Sequence, residues 1–250
     1  KELRAELEAF GISFCTHSDT EVLINTIQLY GEKALNKLRG MFGFAVWNEQ
    51  EQSLMLARDF FGIKPVYYAE IDGHFVFASE IKSILAFPGY ERKVNQKALE
   101  QYLSFQYSPL EETFFRGIYK LMPGHMLLYK NGSYEIKTYF KPKLTPGQWN
   151  HKTNMAQLRS QLSEILKDSV KHHMLSDVEV GAFLSGGVDS GYLASASGAD
   201  QAFTVGFDEG DRYSEVNKAA KVAEKAGLKH HVKIISKQEF WDALPDVMYH

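Results

Sequence analysis

Residues 185–190, Ser-Gly-Gly-Val-Asp-Ser, combine the residue types that bind a phosphate group together with its metal ion. The glycines allow the backbone to approach an anion closely, and the two serines add hydroxyl donors. The carboxylate of Asp189 can hold a divalent cation against that anion. The segment has no lysine and lacks the Walker A spacing, so it does not indicate ordinary γ-phosphoryl transfer.

The flanking residues would place this segment at a strand-to-helix turn. Residues 178–184 are apolar and predict a strand, and residues 191–196 are small and helix-compatible. At such a turn several backbone N–H groups and the positive end of a helix dipole point at one spot. Six specified residues in this context favour phosphate binding over a turn that only packs a helix on a sheet.

Helix and strand patterns alternate through the second part of the chain. Helices are predicted at 155–173, after 190, at 213–226 and from 238, and strands at 178–184, 202–207 and 231–235. This order predicts an α/β fold with a parallel sheet, helices on both faces, and a ligand at the carboxyl ends of the strands.

The first part of the chain predicts an α+β architecture rich in antiparallel strands. Three hairpins are predicted, pairing 39–47 with 53–59, 62–68 with 75–80, and 125–129 with 134–136. Asp72-Gly73 and Asn131-Gly132 are the turn signals of the last two hairpins. The polar, Pro- and Gly-bearing residues 141–148 predict a domain boundary at about residue 145.

The composition limits the class of protein. A chain of 250 residues is long enough for one or two domains with a sizeable core, and its net charge of −3 does not favour nucleic acid or a membrane surface. No apolar run approaches the ~18 residues of a transmembrane helix. The single cysteine excludes an internal disulfide framework. We therefore expect a cytoplasmic protein without nucleic-acid or membrane partners.

Four segments carry a family resemblance. Residues 185–190 resemble the pyrophosphate loop of the ATP pyrophosphatase family, whose members split ATP between the α and β phosphates. Residues 17–22 (HSDTEV), 57–65 (ARDFFGIKP) and 77–82 (FASEIK) are similar to the glutamine amidotransferase domain of asparagine synthases. In this order they resemble glutamine-hydrolysing asparagine synthetases along essentially the whole chain.

The resemblance implies a fold and a function for each half. Residues 1–145 would form an Ntn-hydrolase-like, class II amidotransferase domain, and residues 146–250 an ATP pyrophosphatase domain. The enzyme would be a ligase that makes asparagine from aspartate through β-aspartyl-AMP, with glutamine as amide donor and with ATP and Mg²⁺. Glutamine, aspartate and ATP would be its small-molecule partners, and a homodimer is compatible with it.

Site residues also follow from the resemblance. Asp19 would contact the α-amino group of glutamine, for which a carboxylate is a suitable partner. Asp189 would hold Mg²⁺. The ATP and pyrophosphate contacts would be Leu184, Ser185, Gly186, Gly187, Val188, Asp189, Ser190, Val205 and Gly206. Gly191 departs from the family pattern, since a second serine often follows the loop there.

The nucleophile of the amidotransferase class has no counterpart in this chain. That nucleophile is an N-terminal cysteine whose own α-amine serves as the base, whereas the first residue here is Lys1 and the only cysteine is Cys15. We expect Cys15 to be a structural residue in a strand entering the core. Because the sequence starts and stops within helix patterns, we expect two incomplete domains, an internal fragment of a longer enzyme, and no turnover by the fragment itself.

Simpler roles compete at several positions. Asp19 could cap the helix predicted over 20–38, although Ser18 could do so instead. Arg58 and Asp59 are expected to form a structural ion pair beside the glutamine pocket. The acidic residues 208–211 are expected to form a solvated loop rather than a metal site. His230 and His231 are neighbours on a predicted strand and do not point the same way.

Three other functions stay open. A relative with another acceptor, such as a β-lactam synthetase or an amidotransferase of natural products or polysaccharides, would share both halves. A degenerate, non-catalytic nucleotide-binding chain would explain the missing nucleophile but not the intact loop. A stand-alone pyrophosphatase of the NAD- or GMP-synthetase kind conflicts with the β-rich first half.

Overall fold

The computed structural model describes residues 1–143, 154–208 and 215–250. The chain divides into two compact units, Lys1–Leu144 and Thr145–His250. In the described part of the chain, no helix is both long enough and apolar enough to cross a lipid bilayer.

The first unit contains four α-helices, one 3-10 helix and seven strands in its described residues. The helices are α1 (Glu2–Ala9), α2 (Asp19–Tyr30), the 3-10 helix Gly31–Lys37, α3 (Ile81–Leu85) and α4 (Gln96–Phe105). The strands are β1 (Gly43–Asn48), β2 (Ser53–Arg58), β3 (Tyr67–Ile71), β4 (His74–Ala78), β5 (Ile118–Lys120), β6 (His125–Lys130) and β7 (Ser133–Thr138).

These strands form two antiparallel sheets, which confirms the predicted α+β class. The sheet orders are β1-β2-β6-β7 and β4-β3-β5. The three predicted hairpins are β1–β2, β3–β4 and β6–β7. Asp72 and Gly73 have φ of +47° and +77°, and Asn131 and Gly132 have +53° and +76°, as two-residue hairpin turns with positive φ require.

Strand β2 lies inside the unit and is buried on both faces. One face joins the two sheets through a cluster that includes Leu54, Leu56 and Tyr68. The other face, with Met55 and Ala57, packs against Leu35 of the 3-10 helix. The unit is therefore layered as helices, sheet and sheet, and the apolar run of β2 reflects burial on both sides.

The second unit has an α/β order, as predicted. Its helices are α5 (Met155–His173), α6 (Val188–Ser197), α7 (Val216–Ala226) and α8 (Lys237–Tyr249), and its strands are β8 (Ala182–Phe183), β9 (Gln201–Phe207) and β10 (Lys229–Ile235). The sheet order is β10-β9-β8, and both pairs are parallel.

Two expectations for this unit need correction. The strand predicted over 178–184 is reduced to β8, because it pairs with β9 only at Ala182 and Phe183. Helices were expected on both faces, but α6 and α7 cover one face, while Phe203 and Val205 on the other stay partly exposed. Helix α8 reaches that face through the ring contact of Phe240 with Phe207 and through the ion pair of Glu239 with Lys233 at 2.8 Å.

Candidate functional site

Residues 185–190 connect β8 to α6, at the carboxyl end of the parallel sheet. The residue before them, Leu184, is 2% exposed and packs in the core under α6 and α7. Its N–H donates to the carbonyl of Phe203 at 2.9 Å, which ties the start of the loop to β9. The sequence correctly predicts this strand–loop–helix context.

The two serines close the loop on itself. Their hydroxyl oxygens, in Ser185 and Ser190, lie 2.9 Å apart, and the N–H of Ser185 donates to Oγ of Ser190 at 3.2 Å. The N–H of Gly187 points to Oγ of Ser185 at 3.4 Å. The ring of hydrogen bonds thus holds the loop at the start of α6.

The first turn of α6 presents hydrogen-bond donors that lack partners among the described residues. Gly187 occupies the N-cap position and has no side chain to cap the helix. The N–H groups of Val188, Asp189 and Ser190 have no acceptor within the part of the chain that the structure describes. Donors at a helix N-terminus, aligned with the positive end of its dipole, favour an anion.

Leu184 and Val205 lie on adjacent strands but do not face the same way. The side chain of Leu184 points into the core shared with Ala202, whereas Val205 is 54% exposed on the opposite face. Gly206 follows Val205 on β9 and lies on the buried side. A flat ring placed at this sheet edge could touch the side chain of Val205 but not that of Leu184.

Gly191 lies buried in the first turns of α6, and its replacement by alanine should stabilise the second unit. A methyl group there would lie 3.5 Å from Cγ1 of Val222, an ordinary packing distance. Alanine would remove the flexibility of glycine in a helix and is expected to raise the free energy of unfolding by up to about 1 kcal/mol. Urea unfolding of Gly191→Ala and wild type checks this. A loss of stability would mean that α6 and α7 leave no room for the methyl group.

In the first unit, Ser18 rather than Asp19 caps α2. The hydroxyl oxygen of Ser18 accepts the N–H of Thr20 at 3.1 Å, so the carboxylate of Asp19 is not used for capping. Asp19 is the first residue of α2 and is exposed. This arrangement leaves it available to a ligand.

Glu21 organises the segment before α2, a role that sequence analysis missed. Its carboxylate accepts the N–H groups of Cys15 and Thr16, each at 2.7 Å. The hydrogen bond from the Thr16 hydroxyl, followed by that from the Cys15 N–H, lowers the pKa of Glu21. The spacing of Ser18 and Glu21 is that of a capping box, but Glu21 accepts N–H groups from residues 15 and 16 and not from the N-cap residue, so this spacing would not have predicted the bonds that form.

Cys15 does not lie in a strand entering the core, contrary to prediction. It is exposed in an irregular segment, because Glu21 folds that segment back onto α2. Residues 12–17, with Arg4 and Glu8, line an open cavity of about 500 Å³. Asp19 is two residues beyond this lining.

Arg58 and Asp59 do not form the predicted ion-pair contact. The guanidinium of Arg58 instead donates to three backbone carbonyls: to Lys64 at 2.8 Å, to Leu121 at 2.7 Å and to Gly62 at 2.7 Å. Burial lowers the pKa of this guanidinium. Arg58 therefore fixes the loop after β2 through the backbone.

The carboxylate of Asp59 holds the same loop from the other side. It is 1% exposed. One oxygen accepts the N–H groups of Phe61 and Ile63 at 3.2 and 2.9 Å, and the other accepts those of Phe42 and Lys64 at 3.3 and 2.9 Å. Burial tends to raise the pKa of Asp59, but these hydrogen bonds outweigh it and hold the pKa below its ordinary value.

The other candidate metal ligands are only partly described. Of the acidic residues 208–211, those from 209 onward lie outside the described residues. His230 and His231 occupy opposite faces of β10: His230 contacts Thr204, and His231 stacks on Phe203. Among the described residues, no group of three or more His, Cys, Asp or Glu side chains could hold a metal ion.

Comparison with known families decides the class of the first unit. Residues 1–140 match the glutamine amidotransferase domain, more than half of the chain. The chain belongs to the glutamine amidotransferase domain family. Behind this amidotransferase domain, residues 161–250 match the asparagine synthase family.

Curated relatives of this amidotransferase chain carry both halves. Asparagine synthetase [glutamine-hydrolyzing] 1 of Bacillus subtilis is 41% identical over 254 residues, and a putative asparagine synthetase of Mycobacterium bovis is 36% identical over 259 residues. Each match covers 100% of this chain and 39% of the relative. The amidase chyE of Penicillium rubens is 30% identical and is matched over 95% of this chain and 38% of its own length. The chain therefore spans about two fifths of the length of these relatives.

Proposed function

We propose that this chain serves an ATP-dependent ligase that makes asparagine from aspartate with glutamine as nitrogen donor. The observation that carries the proposal is the loop at residues 185–190. In the first turn of α6, the N–H groups of residues 188–190 have no partner among the described residues. They follow a loop in which the hydroxyl groups of Ser185 and Ser190 are hydrogen-bonded to each other. The match of residues 161–250 to the asparagine synthase family supports the same reading.

In the proposed reaction, the side-chain carboxylate of aspartate attacks the α-phosphorus of ATP. A new O–P bond forms, and the bond from the α-phosphorus to its bridging oxygen breaks and releases pyrophosphate. Hydrolysis of the glutamine side-chain amide supplies ammonia, which attacks the acyl carbon of β-aspartyl-AMP and displaces AMP. Glutamine hydrolysis would take place in the first unit and the activation of aspartate in the second.

The residues of this chain would contribute binding and electrostatic stabilisation. The N–H groups of Val188, Asp189 and Ser190, with the serine hydroxyls, would stabilise the charge that builds on pyrophosphate. Val205 and Gly206 would lie against the adenine ring. We assign Leu184 to the support of the loop, because its side chain is buried in the core.

The donor set at the loop fits a magnesium ion held mainly by nucleotide phosphates. Asp189 offers one exposed carboxylate in the first turn of α6, and Mg²⁺ commonly binds one or two carboxylates together with phosphate oxygens. When bound, the ion would neutralise charge on the phosphates. We propose Asp189 as its protein ligand.

Asp19 would bind the α-amino group of glutamine in the first unit. Ser18 caps α2, so the Asp19 carboxylate is available to form a charge-assisted hydrogen bond with an ammonium group. We also place the protein in the cytoplasm because of its single cysteine. Sedimentation velocity would test whether it forms a homodimer.

Replacing Asp189 by alanine should remove most of the magnesium dependence of pyrophosphate binding. For the wild-type chain we expect tighter binding with Mg²⁺ than without, measured by isothermal titration calorimetry. In Asp189→Ala that gain should shrink by about tenfold, because a charge-assisted contact is lost. Asp200→Ala is the matched control, since Asp200 is an exposed carboxylate at the opposite end of β9. An unchanged magnesium dependence in Asp189→Ala would refute the assignment.

Product analysis separates this proposal from a related enzyme with another acceptor. The assay uses the longer enzyme of which this chain is expected to be a fragment: with glutamine, ATP and aspartate as substrates, asparagine, AMP and pyrophosphate should appear in equal amounts. The relative named an amidase makes the acceptor worth testing directly. Pyrophosphate release that does not depend on aspartate would favour a different acceptor.

A further inference from the structure

Thr204 and His230 form a chain of hydrogen bonds that ends at Leu184, the residue before the proposed phosphate-binding loop at residues 185–190. Thr204 lies on β9 among residues that face α6 and α7, and it is buried. Its hydroxyl donates to the carbonyl of Leu184 at 2.7 Å. The same hydroxyl oxygen lies 2.8 Å from Nε2 of His230 on β10.

The number of available protons fixes the direction of this chain. A threonine hydroxyl has one hydrogen, and a backbone carbonyl can only accept. Since the hydrogen of Thr204 is used on Leu184, the contact with His230 requires that Nε2 of the imidazole donate. The chain therefore runs from His230 Nε2–H to Thr204 Oγ1 and from its hydroxyl to the Leu184 carbonyl, and both the neutral Nε2–H tautomer and the imidazolium supply it.

The Leu184 carbonyl belongs to the peptide plane from which the loop starts. In a trans peptide the C=O of one residue and the N–H of the next point in opposite directions. The C=O of Leu184 accepts from Thr204, and the N–H of Ser185 donates to Oγ of Ser190. Because both edges of the plane are held, its rotation is fixed, and with it the direction in which Ser185 leaves the sheet.

We infer that Thr204 and His230 are positioning residues for the phosphate-binding loop. They lie 20 and 46 residues away from Leu184 in sequence and are outside the loop motif. Through the Leu184–Ser185 peptide plane they fix the positions of the two serines and of the N–H groups in the first turn of α6. The inference rests on the proposed function only for the nature of the ligand.

His231 and Thr113 provide matched controls in the same chain. His231 neighbours His230 but lies on the other face of β10, where its Nε2 is 3.0 Å from Oε1 of Gln201. Thr113 is a buried threonine of the first unit whose hydroxyl donates to the carbonyl of Ile118 at 2.8 Å. Among the described residues, His231 makes no hydrogen bond to the loop, and Thr113 belongs to the other unit.

Thr204→Val keeps the shape of the side chain and removes the hydroxyl. We expect it to weaken binding of magnesium pyrophosphate by about tenfold, comparable to the contribution of one hydrogen bond. Thr204→Ser should bind within about twofold of wild type, since it restores the donor. Titration calorimetry on the full chain gives the affinities, and thermal unfolding gives the stability of each variant.

A second measurement does not depend on ligand binding. In ¹H–¹⁵N spectra of the free chain, Thr204→Val should shift the amide signal of Ser185, whereas Thr113→Val should lower stability without moving that signal or the affinity. His230→Leu should move the Ser185 signal in the same direction and His231→Leu should not, which gives a test even where Thr204→Val does not fold.

The outcomes separate the two proposals. Wild-type chain that binds no pyrophosphate, together with a displaced Ser185 signal in Thr204→Val, refutes the proposed function and supports the positioning role. Wild-type affinity and an unmoved Ser185 signal in Thr204→Val and His230→Leu overturn the positioning role. Equal losses of affinity in Thr204→Val and Thr113→Val would also overturn it, because general destabilisation would then explain both.

Discussion

Replacing Asp59 by asparagine is expected to lower the free energy of unfolding of the first unit by about 3 kcal/mol. Each carboxylate oxygen accepts two backbone N–H groups, one of them at 2.9 Å. Whichever way the asparagine amide turns, its NH₂ group replaces one oxygen and faces two N–H donors. Two buried donors then lose their acceptor, and the remaining pair loses its charged partner.

The lowered pKa of the Asp59 carboxylate also predicts how the free energy of unfolding changes at acidic pH. The pKa of Asp59 in the folded chain lies below its ordinary value of 3.8, so its contribution is complete above that value and is lost as the pH falls toward the folded pKa. Wild type should therefore lose stability below about pH 4, whereas Asp59→Asn has no such contribution to lose. The difference in free energy of unfolding between wild type and Asp59→Asn should therefore decrease as the pH falls.

Urea unfolding followed through Trp47, which lies on β1, measures the first unit. The other two tryptophans, Trp149 and Trp241, are replaced by phenylalanine in both chains so that the signal is specific. Asp72→Asn is the control, because Asn-Gly is as good a hairpin turn as Asp-Gly and the change should stay within about 0.5 kcal/mol. A loss of less than 1 kcal/mol in Asp59→Asn would contradict the role derived from its four hydrogen bonds.

The antiparallel first unit was predictable where its signals are local. Asp72-Gly73 and Asn131-Gly132 specify two hairpins within a few residues, and the structure confirms both. Burial of β2 on two faces was not predictable, because it depends on a second sheet and a helical layer that come from distant parts of the chain. The apolar pattern of a strand shows that it is buried, but it does not show which sheet or helices cover each face.

The candidate site was predictable to a similar extent. The loop at residues 185–190 is recognisable because its six residues and flanking elements are contiguous. The ion pair expected between Arg58 and Asp59 was wrong because both groups bind backbone atoms, which carry no sequence signal. Thr204 and His230 were missed for a different reason: their contact joins strands 26 residues apart.

Gly186→Ala is expected to damage both the stability of the second unit and its binding of pyrophosphate. Gly186 has a φ of +74°, a conformation that costs an alanine about 1–2 kcal/mol. Its Cβ would also lie 2.8 Å from Cβ of Lys218 and 3.0 Å from the backbone N of Ala219. Because Ala219 is buried in the core on α7, the loop must move instead of the helix. We expect a total loss of about 2–3 kcal/mol and at least about tenfold weaker binding as donors leave their places.

Gly198→Ala separates the two causes of this effect. Gly198 ends α6 with a φ of +68°, and an added Cβ there would meet nothing within 4 Å. The Gly198→Ala variant should therefore lose only the free energy needed to hold an alanine at positive φ, about 1–2 kcal/mol. It should bind magnesium pyrophosphate as wild type does. Titration calorimetry and urea unfolding of both variants compare them directly. If Gly186→Ala binds as tightly as Gly198→Ala, the loop tolerates the displacement, and the geometry of its N–H groups cannot be what determines binding.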